Sequence, residues 1–251
     1  MGGSELAKDL LMALDPVELA LHSGLNADPW QAQLLRSASP RVLLNCSRQA
    51  GKSTMSATLA VHTAIYQPKS LVLLLSPSLR QSQELFKKAF ACYQAVAGAM
   101  PSLTESALRL ELENGSRIVS LPGKEDTVRG FSGVKLLIVD EAARVANDLY
   151  LAVRPMLAVS GGRLLALSTP FGTRGWWYDA WHSDETWERY EVPARLCPRI
   201  PATFLAEERR AMGEWWFAQE YECRFLDGET QPFRREDVER AFDENIESWD
   251  L

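Results

Sequence analysis

Val42-Leu43-Leu44-Asn45-Cys46-Ser47-Arg48-Gln49-Ala50-Gly51-Lys52-Ser53-Thr54 is the stretch that decides the fold. Its first residues form a short continuous apolar run, which suits a strand buried on both faces. Its last residues open a segment, 52–66, whose pattern predicts a helix. Between them lies a loop that closes on Gly-Lys-Ser-Thr. A strand, a glycine-bearing loop and a helix, in that order, are the context a phosphate-binding loop requires. The sharp turn gathers backbone N–H groups and the positive end of the helix dipole at one place, where an anion is stabilised. Ser47, Arg48, Gln49, Ala50, Gly51, Lys52, Ser53 and Thr54 are therefore candidate ATP-binding residues. Lys52 is placed to reach the β and γ phosphates, and the Ser53 hydroxyl to ligate Mg2+. The loop departs from the usual pattern, with Cys46 where a first glycine is common and Ala50 before Gly51. Arg48 is unusual in such a loop. It is either a solvated charge or a cation placed to touch the γ phosphate.

Working outward, three more apolar runs end in polar residues. Leu71–Leu75 precedes Ser-Pro-Ser, Leu136–Val139 precedes two carboxylates, and Leu164–Leu167 precedes Ser-Thr-Pro. Helical stretches are predicted over 52–66, 79–99 and 147–159. This alternation predicts an α/β fold with a doubly wound, mainly parallel sheet. Residues 108–121 alternate apolar and polar around Asn114-Gly115, which predicts an antiparallel hairpin beside that sheet. Residues 4–24 read as a leading helix, with Leu6, Leu10, Leu14 and Val17 at helical spacing and Pro16 near a break. A second helical start follows at Asp28. Residues 203–225 read as one or two amphipathic helices, and the tail from Asp227 is polar and charged. The expected organisation is a helical lead over 1–27, an ATPase core over 28–200, and a helical lid with the start of a linker over 201–251.

The run Leu136–Val139 ends in Asp140-Glu141. Two solvated carboxylates at a strand end are common, but downstream of a phosphate loop the pattern is specific. Asp140 is the candidate magnesium holder. Glu141 is the candidate base that orients and deprotonates the attacking water, and a mere nucleotide-binding switch has no need of one. Ser168 and Thr169 form a third polar strand end, a candidate coupling element that senses the γ phosphate. Such residues are frequent at strand ends whatever the function. Arg129 lies in a glycine-flanked loop before the acidic strand and is a candidate arginine finger, although most loop arginines are simply solvated.

The chain of 251 residues is 46% hydrophobic and 24% charged, an ordinary globular composition. No apolar run is long enough to span a bilayer, and the N-terminus lacks the basic region of a signal peptide. Cys46, Cys92, Cys197 and Cys223 are scattered, which argues against a zinc site or a disulfide framework and for a reducing compartment. The net charge of −6 gives no support to DNA binding from composition alone. Trp176-Trp177 and Trp215-Trp216 read as packing residues before they read as base-stacking ones.

Taken together, SRQAGKST, LLLSPSLRQSQELF, TVRGFSG before LLIVDEA, LALSTPFG and the late FAQEYECRFLDGE resemble the large terminase subunits of tailed bacteriophages, over most of residues 28–230. The resemblance implies a P-loop NTPase fold of the RecA/ASCE type with a helical lid. It implies ATP hydrolysis that drives double-stranded DNA into a procapsid, in the cytoplasm of an infected bacterial host. A homo-oligomeric ring, a portal and a small terminase subunit are the partners it implies, with no membrane. It makes Trp30-Gln31 the adenine-contacting segment and Arg129 the arginine given to a neighbouring subunit. Large terminases also carry a nuclease domain; no second set of clustered carboxylates is seen here, so nuclease activity is not expected of this chain. A helicase-like or repair DNA-dependent ATPase is the alternative, although its second RecA-like domain has no room in these residues.

Overall fold

The apolar runs become the middle of one sheet. In a computed structural model, which describes residues 3–96, 98, 100–123, 128 and 130–227, eight strands pair in the order β3-β4-β5-β2-β6-β7-β1-β8. They are β1 (Arg41–Cys46), β2 (Leu71–Ser76), β3 (Ser102–Glu105), β4 (Arg109–Leu112), β5 (Arg117–Pro122), β6 (Val134–Asp140), β7 (Arg163–Ser168) and β8 (Glu188–Val192). From β5 to β8 every neighbouring pair is parallel. β4 runs antiparallel to both of its neighbours. β7 therefore separates β1, which carries the phosphate loop, from β6, which carries the acidic pair.

Alternate side chains of each central strand enter opposite cores, as a two-residue repeat requires. Val42, Leu44, Val72, Leu74, Ile138 and Leu165 pack on one face. Helices α1 (Gly3–Leu14), α2 (Pro16–His22), α3 (Pro29–Arg36), α4 (Lys52–Tyr66) and α5 (Leu79–Ala95) supply buried residues to that core. Leu43, Leu73, Leu75, Leu137, Val139 and Ala166 pack on the other. There they meet α6 (Asn147–Val153) and α7 (Trp176–His182), including Tyr150, Trp176 and Trp177. The Trp176-Trp177 pair is thus core. Trp216, 41% exposed, is not.

Local chemistry sets the boundaries. The leading helix breaks at Asp15-Pro16, where the Asp15 carboxylate accepts the Val17 N–H at 3.0 Å and starts α2. Its apolar stripe faces outward, with Leu6, Leu10 and Leu14 more than half exposed and Met12 buried in their place. The stretch predicted helical over 147–159 divides into α6 and a 3-10 turn, Arg154–Leu157, at Pro155, which has no N–H to donate. The hairpin forms with Arg109 opposite Val119, and its turn glycine, Gly115, has φ +80°. Its second strand, β5, also joins β2 in parallel, so the hairpin extends the sheet. Strands β3 and β8 at the two edges were not expected from the sequence. The last helix, α8 (Ala202–Glu222), is bent at Gly213, φ +80°, and sets Phe217 and Tyr221 against Ala194.

Candidate nucleotide-binding site

The phosphate loop joins β1 to α4 and is held from three sides. The Ser47 N–H donates to the Val192 carbonyl of β8 at 3.0 Å, and the Arg48 N–H to the Glu220 carbonyl of α8 at 2.9 Å. On the third side the Ala50 carbonyl accepts from Gln31 Nε2 at 3.2 Å and from Arg199 Nη2 at 3.1 Å. Arg199 is itself paired with Asp28 at 2.8 Å. The chain passes through left-handed conformations at Gln49 (φ +60°) and Gly51 (φ +89°). Gly51 is required twice over. A side chain is strained at that φ, and a Cβ would stand 2.8 Å from Gln31 Nε2.

Across the loop lie the carboxylates at the end of β6. Lys52 Nζ is 3.1 Å from Glu141 Oε1. The Ser53 hydroxyl donates to Asp140 Oδ2 at 3.1 Å, and the Glu141 N–H to Asp140 Oδ1 at 3.0 Å. Glu141 adopts φ +52°, which turns the chain out of the strand into the 3-10 turn Ala142–Arg144. Burial alone lowers the Lys52 pKa, but the charges of Glu141 and Asp140 outweigh it and hold the ammonium above its usual value. Burial pushes the Asp140 carboxyl above its usual range; Lys52 opposes that shift and the Glu141 charge adds to it. The Ser168 hydroxyl accepts the Ala143 N–H at 3.1 Å and donates to the Thr169 carbonyl at 2.8 Å, joining the end of β7 to this turn.

The result is an open cleft of about 610 Å3 walled by Arg48, Lys52, Glu141, Arg144, Thr169 and Glu220 among others. Of the residues expected from the sequence, Gln49, Gly51, Ser53 and Thr54 also line it. Ser47, Ala50, Asp140 and Ser168 are buried behind the lining. Gln31 has partners within the chain. It is 1% exposed, and its amide serves the chain itself, with Oε1 accepting the Asp28 N–H at 2.8 Å and Nε2 holding Ala50. Trp30 packs against the core with its indole N–H unpartnered. Arg48 reaches Glu220 Oε2 at 2.6 Å, so this loop cation is fastened to α8. Arg129 lies outside the described residues. Sequence reasoning gave no site role to Arg144, Arg199 or Glu220, although Glu220 stands within the FAQEYECRFLDGE stretch.

Comparison with known proteins identifies the family and the fold. The family model "Terminase large subunit, T4likevirus-type, N-terminal" matches residues 43–240. The large terminase subunit of Thermus virus P23-45 is 27% identical over 169 residues, which are 59% of this chain and 34% of that protein. That of Escherichia phage T5 is 27% identical over 197 residues, 74% of this chain and 44% of that protein. The chain thus spans less than half the length of these curated relatives. Among solved structures, the large terminase ATPase domain of Thermus phage P74-26 superimposes with a TM-score of 0.72 at 22% identity, covering 82% of this chain and 97% of that one. The large terminase of a second thermophilic bacteriophage, solved in complex with ADP, gives a TM-score of 0.65 at 12% identity, covering 87% and 53%. The fold is that of these ATPase domains, and with the family model matching most of its length, the chain belongs to the N-terminal family of T4-like terminase large subunits.

Proposed function

We propose that the chain is a magnesium-dependent ATPase that powers the translocation of double-stranded viral DNA into a procapsid. The observation that carries this reading is the meeting of Lys52, Ser53, Asp140 and Glu141 in one cleft at the ends of β1 and β6. The residues fit both ligands. The cleft wall holds Arg48, Lys52 and Arg144, which suits a polyphosphate. Ser53 Oγ and Asp140 Oδ2, 3.1 Å apart, form an all-oxygen pair of the kind a hard divalent cation takes. When bound, magnesium neutralises charge on the phosphate oxygens.

Each residue then has a task. Lys52 and the loop N–H groups bind the phosphates. Phosphate competes with Glu141 for the Lys52 ammonium, and its success releases the Glu141 carboxylate to orient water and take its proton. Arg48 and its backbone tie the phosphate loop to α8 through Glu220, which gives the lid helix a direct stake in what the loop holds. Ser168 and Thr169 pass the state of the same cleft to β7. Trp30 and Gln31 are the candidate adenine-contacting segment, next to the loop that the Gln31 amide meets at Ala50. Arg129 is the candidate trans arginine of a homo-oligomeric ring, acting with portal and small terminase subunit in the host cytoplasm. The family assignment supports these larger assemblies. The ADP and ATP-gamma-S complexes of the second thermophilic-phage terminase support the choice of nucleotide.

Phosphate release by the 251-residue chain, with and without magnesium, tests the reading. Slow release that requires magnesium is expected, because the neighbour's arginine is missing. Release that ignores magnesium, or no ATP binding by calorimetry, contradicts it.

A further inference from the structure

Two cations of the cleft are already engaged within the chain, Lys52 with Glu141 and Arg48 with Glu220. Arg144 is different. Among the described residues its guanidinium has no hydrogen-bond or ion-pair partner, and its Cζ lies 4.0 Å from the centre of the Phe171 ring. A guanidinium stacked on an aromatic face is fixed in orientation, while the N–H donors in its own plane stay free. Arg144 is thus held, charged and unspent in the wall of the nucleotide cleft.

Its position within the cleft is equally informative. Arg144 belongs to the turn that Glu141 opens, and its N–H donates to the Glu141 carbonyl at 2.8 Å. The next N–H back, that of Ala143, is held by Ser168 at the end of β7. Phe171 follows directly on Ser168, Thr169 and Pro170. Arg144 and its ring support therefore stand at the ends of β6 and β7, beside the carboxylate read as the base. Asp28, Gln31 and Arg199 crowd the loop from another side, against Ala50 and Gly51. A base that activates water must lie by the terminal phosphate, so a cation on the same turn lies there too.

We propose that Arg144 is a ligand of the terminal phosphate supplied in cis, and that Phe171 positions it. The proposal deepens the nucleotide reading and rests on it. It also gives the segment after β7 a physical tie to the terminal phosphate, since the ring that carries Arg144 sits on that segment. ADP lacks the group Arg144 would touch, so the two nucleotides separate this role from a general one.

Calorimetry on the 251-residue chain with ADP and with ATP-gamma-S, in magnesium buffer, tests it. Arg144→Ala is expected to weaken ATP-gamma-S about tenfold or more, the loss of a hydrogen bond to a charged group, and to leave ADP unchanged. Arg144→Gln, which is shorter and uncharged but keeps an amide donor, should behave alike. Phe171→Leu should weaken ATP-gamma-S by roughly two- to fivefold. Phe171→Tyr should restore wild-type affinity, and Phe171→Leu should have no further effect in the Arg144→Ala background. Equal losses for both nucleotides, no loss for ATP-gamma-S, or an undiminished Phe171→Leu effect without Arg144 overturns the proposal. Failure of the wild-type chain to bind either nucleotide is a different result, and it removes the nucleotide reading itself.

Discussion

Replacing Gly51 by alanine tests the construction of the phosphate loop, and the structure sets its cost. The backbone there has φ +89°, and holding an alanine in the left-handed region costs about 1–2 kcal/mol. The new Cβ would also stand 2.8 Å from Gln31 Nε2, nearer than real contacts allow. Gln31 cannot simply swing aside. It is 1% exposed, and its amide is held at one end by Asp28 and at the other by Ala50. Giving up the Ala50 bond and leaving a buried donor unpaired adds about 1–3 kcal/mol. The sum, about 2–5 kcal/mol, lowers Tm by roughly 4–20 °C at 2–4 °C per kcal/mol. Gly24→Ala is the control. Gly24 has φ +84° but nothing within 4 Å of its would-be Cβ, so only the backbone cost applies. Thermal unfolding of both variants, with ATP affinity by calorimetry, is the assay. Gly51→Ala should melt several degrees below Gly24→Ala and bind ATP far more weakly. Equal melting points would refute the argument from Gln31, and undisturbed ATP affinity would refute the assignment of the loop.

Two further outcomes are expected. In the assembled motor, Arg129→Ala subunits and Glu141→Gln subunits should each be inactive, and mixing them should restore part of the ATPase activity by pairing an intact arginine with a neighbour's intact glutamate; co-assembly without recovery removes the trans role. His62, whose Nε2 lies 3.1 Å from the Met12 carbonyl, has its pKa lowered below 6.5, chiefly by burial. Between that lowered value and 6.5 the unfolded chain takes up a proton that the folded chain refuses, so this group's stability is lost as pH falls through the window. Urea unfolding from about pH 7.5 downward should show a slope of at most about 1.4 kcal/mol per pH unit that His62→Gln lacks, and equal slopes would contradict the buried neutral imidazole.

Much of the fold could be read from the residues because its signals are local. The run Val42–Leu44, the helix over 52–66 and the Asn114-Gly115 hairpin each declare themselves within a short window, and each forms where expected. The edge strands did not. β3, Ser-Leu-Thr-Glu, is largely exposed, and β8, Glu-Arg-Tyr-Glu-Val, buries only alternate residues, so neither has an apolar run to announce it. In the site, Lys52, Ser53, Asp140 and Glu141 were legible because a strand end fixes where their side chains gather. That the Gln31 amide holds Ala50 was not legible, because this contact is set by the tertiary fold. Glu220 and Arg199 meet the loop from positions far along the chain, and the contact between Arg144 and Phe171 joins residues on two different strand ends.

Single-turnover measurement on Glu141→Gln, beside ATP binding by the same protein, addresses the central claim most directly. The amide fills the space of the carboxylate but cannot take a proton, and losing its ion pair with Lys52 leaves that ammonium free for phosphate. ATP affinity should be kept or improved, with magnesium dependence intact, while the rate of the chemical step falls by about a hundredfold or more. A rate within about threefold of wild type, less than ~1 kcal/mol of barrier, would mean that Glu141 is not the base and that the cleft does not work as an ATPase site in the way its geometry supports.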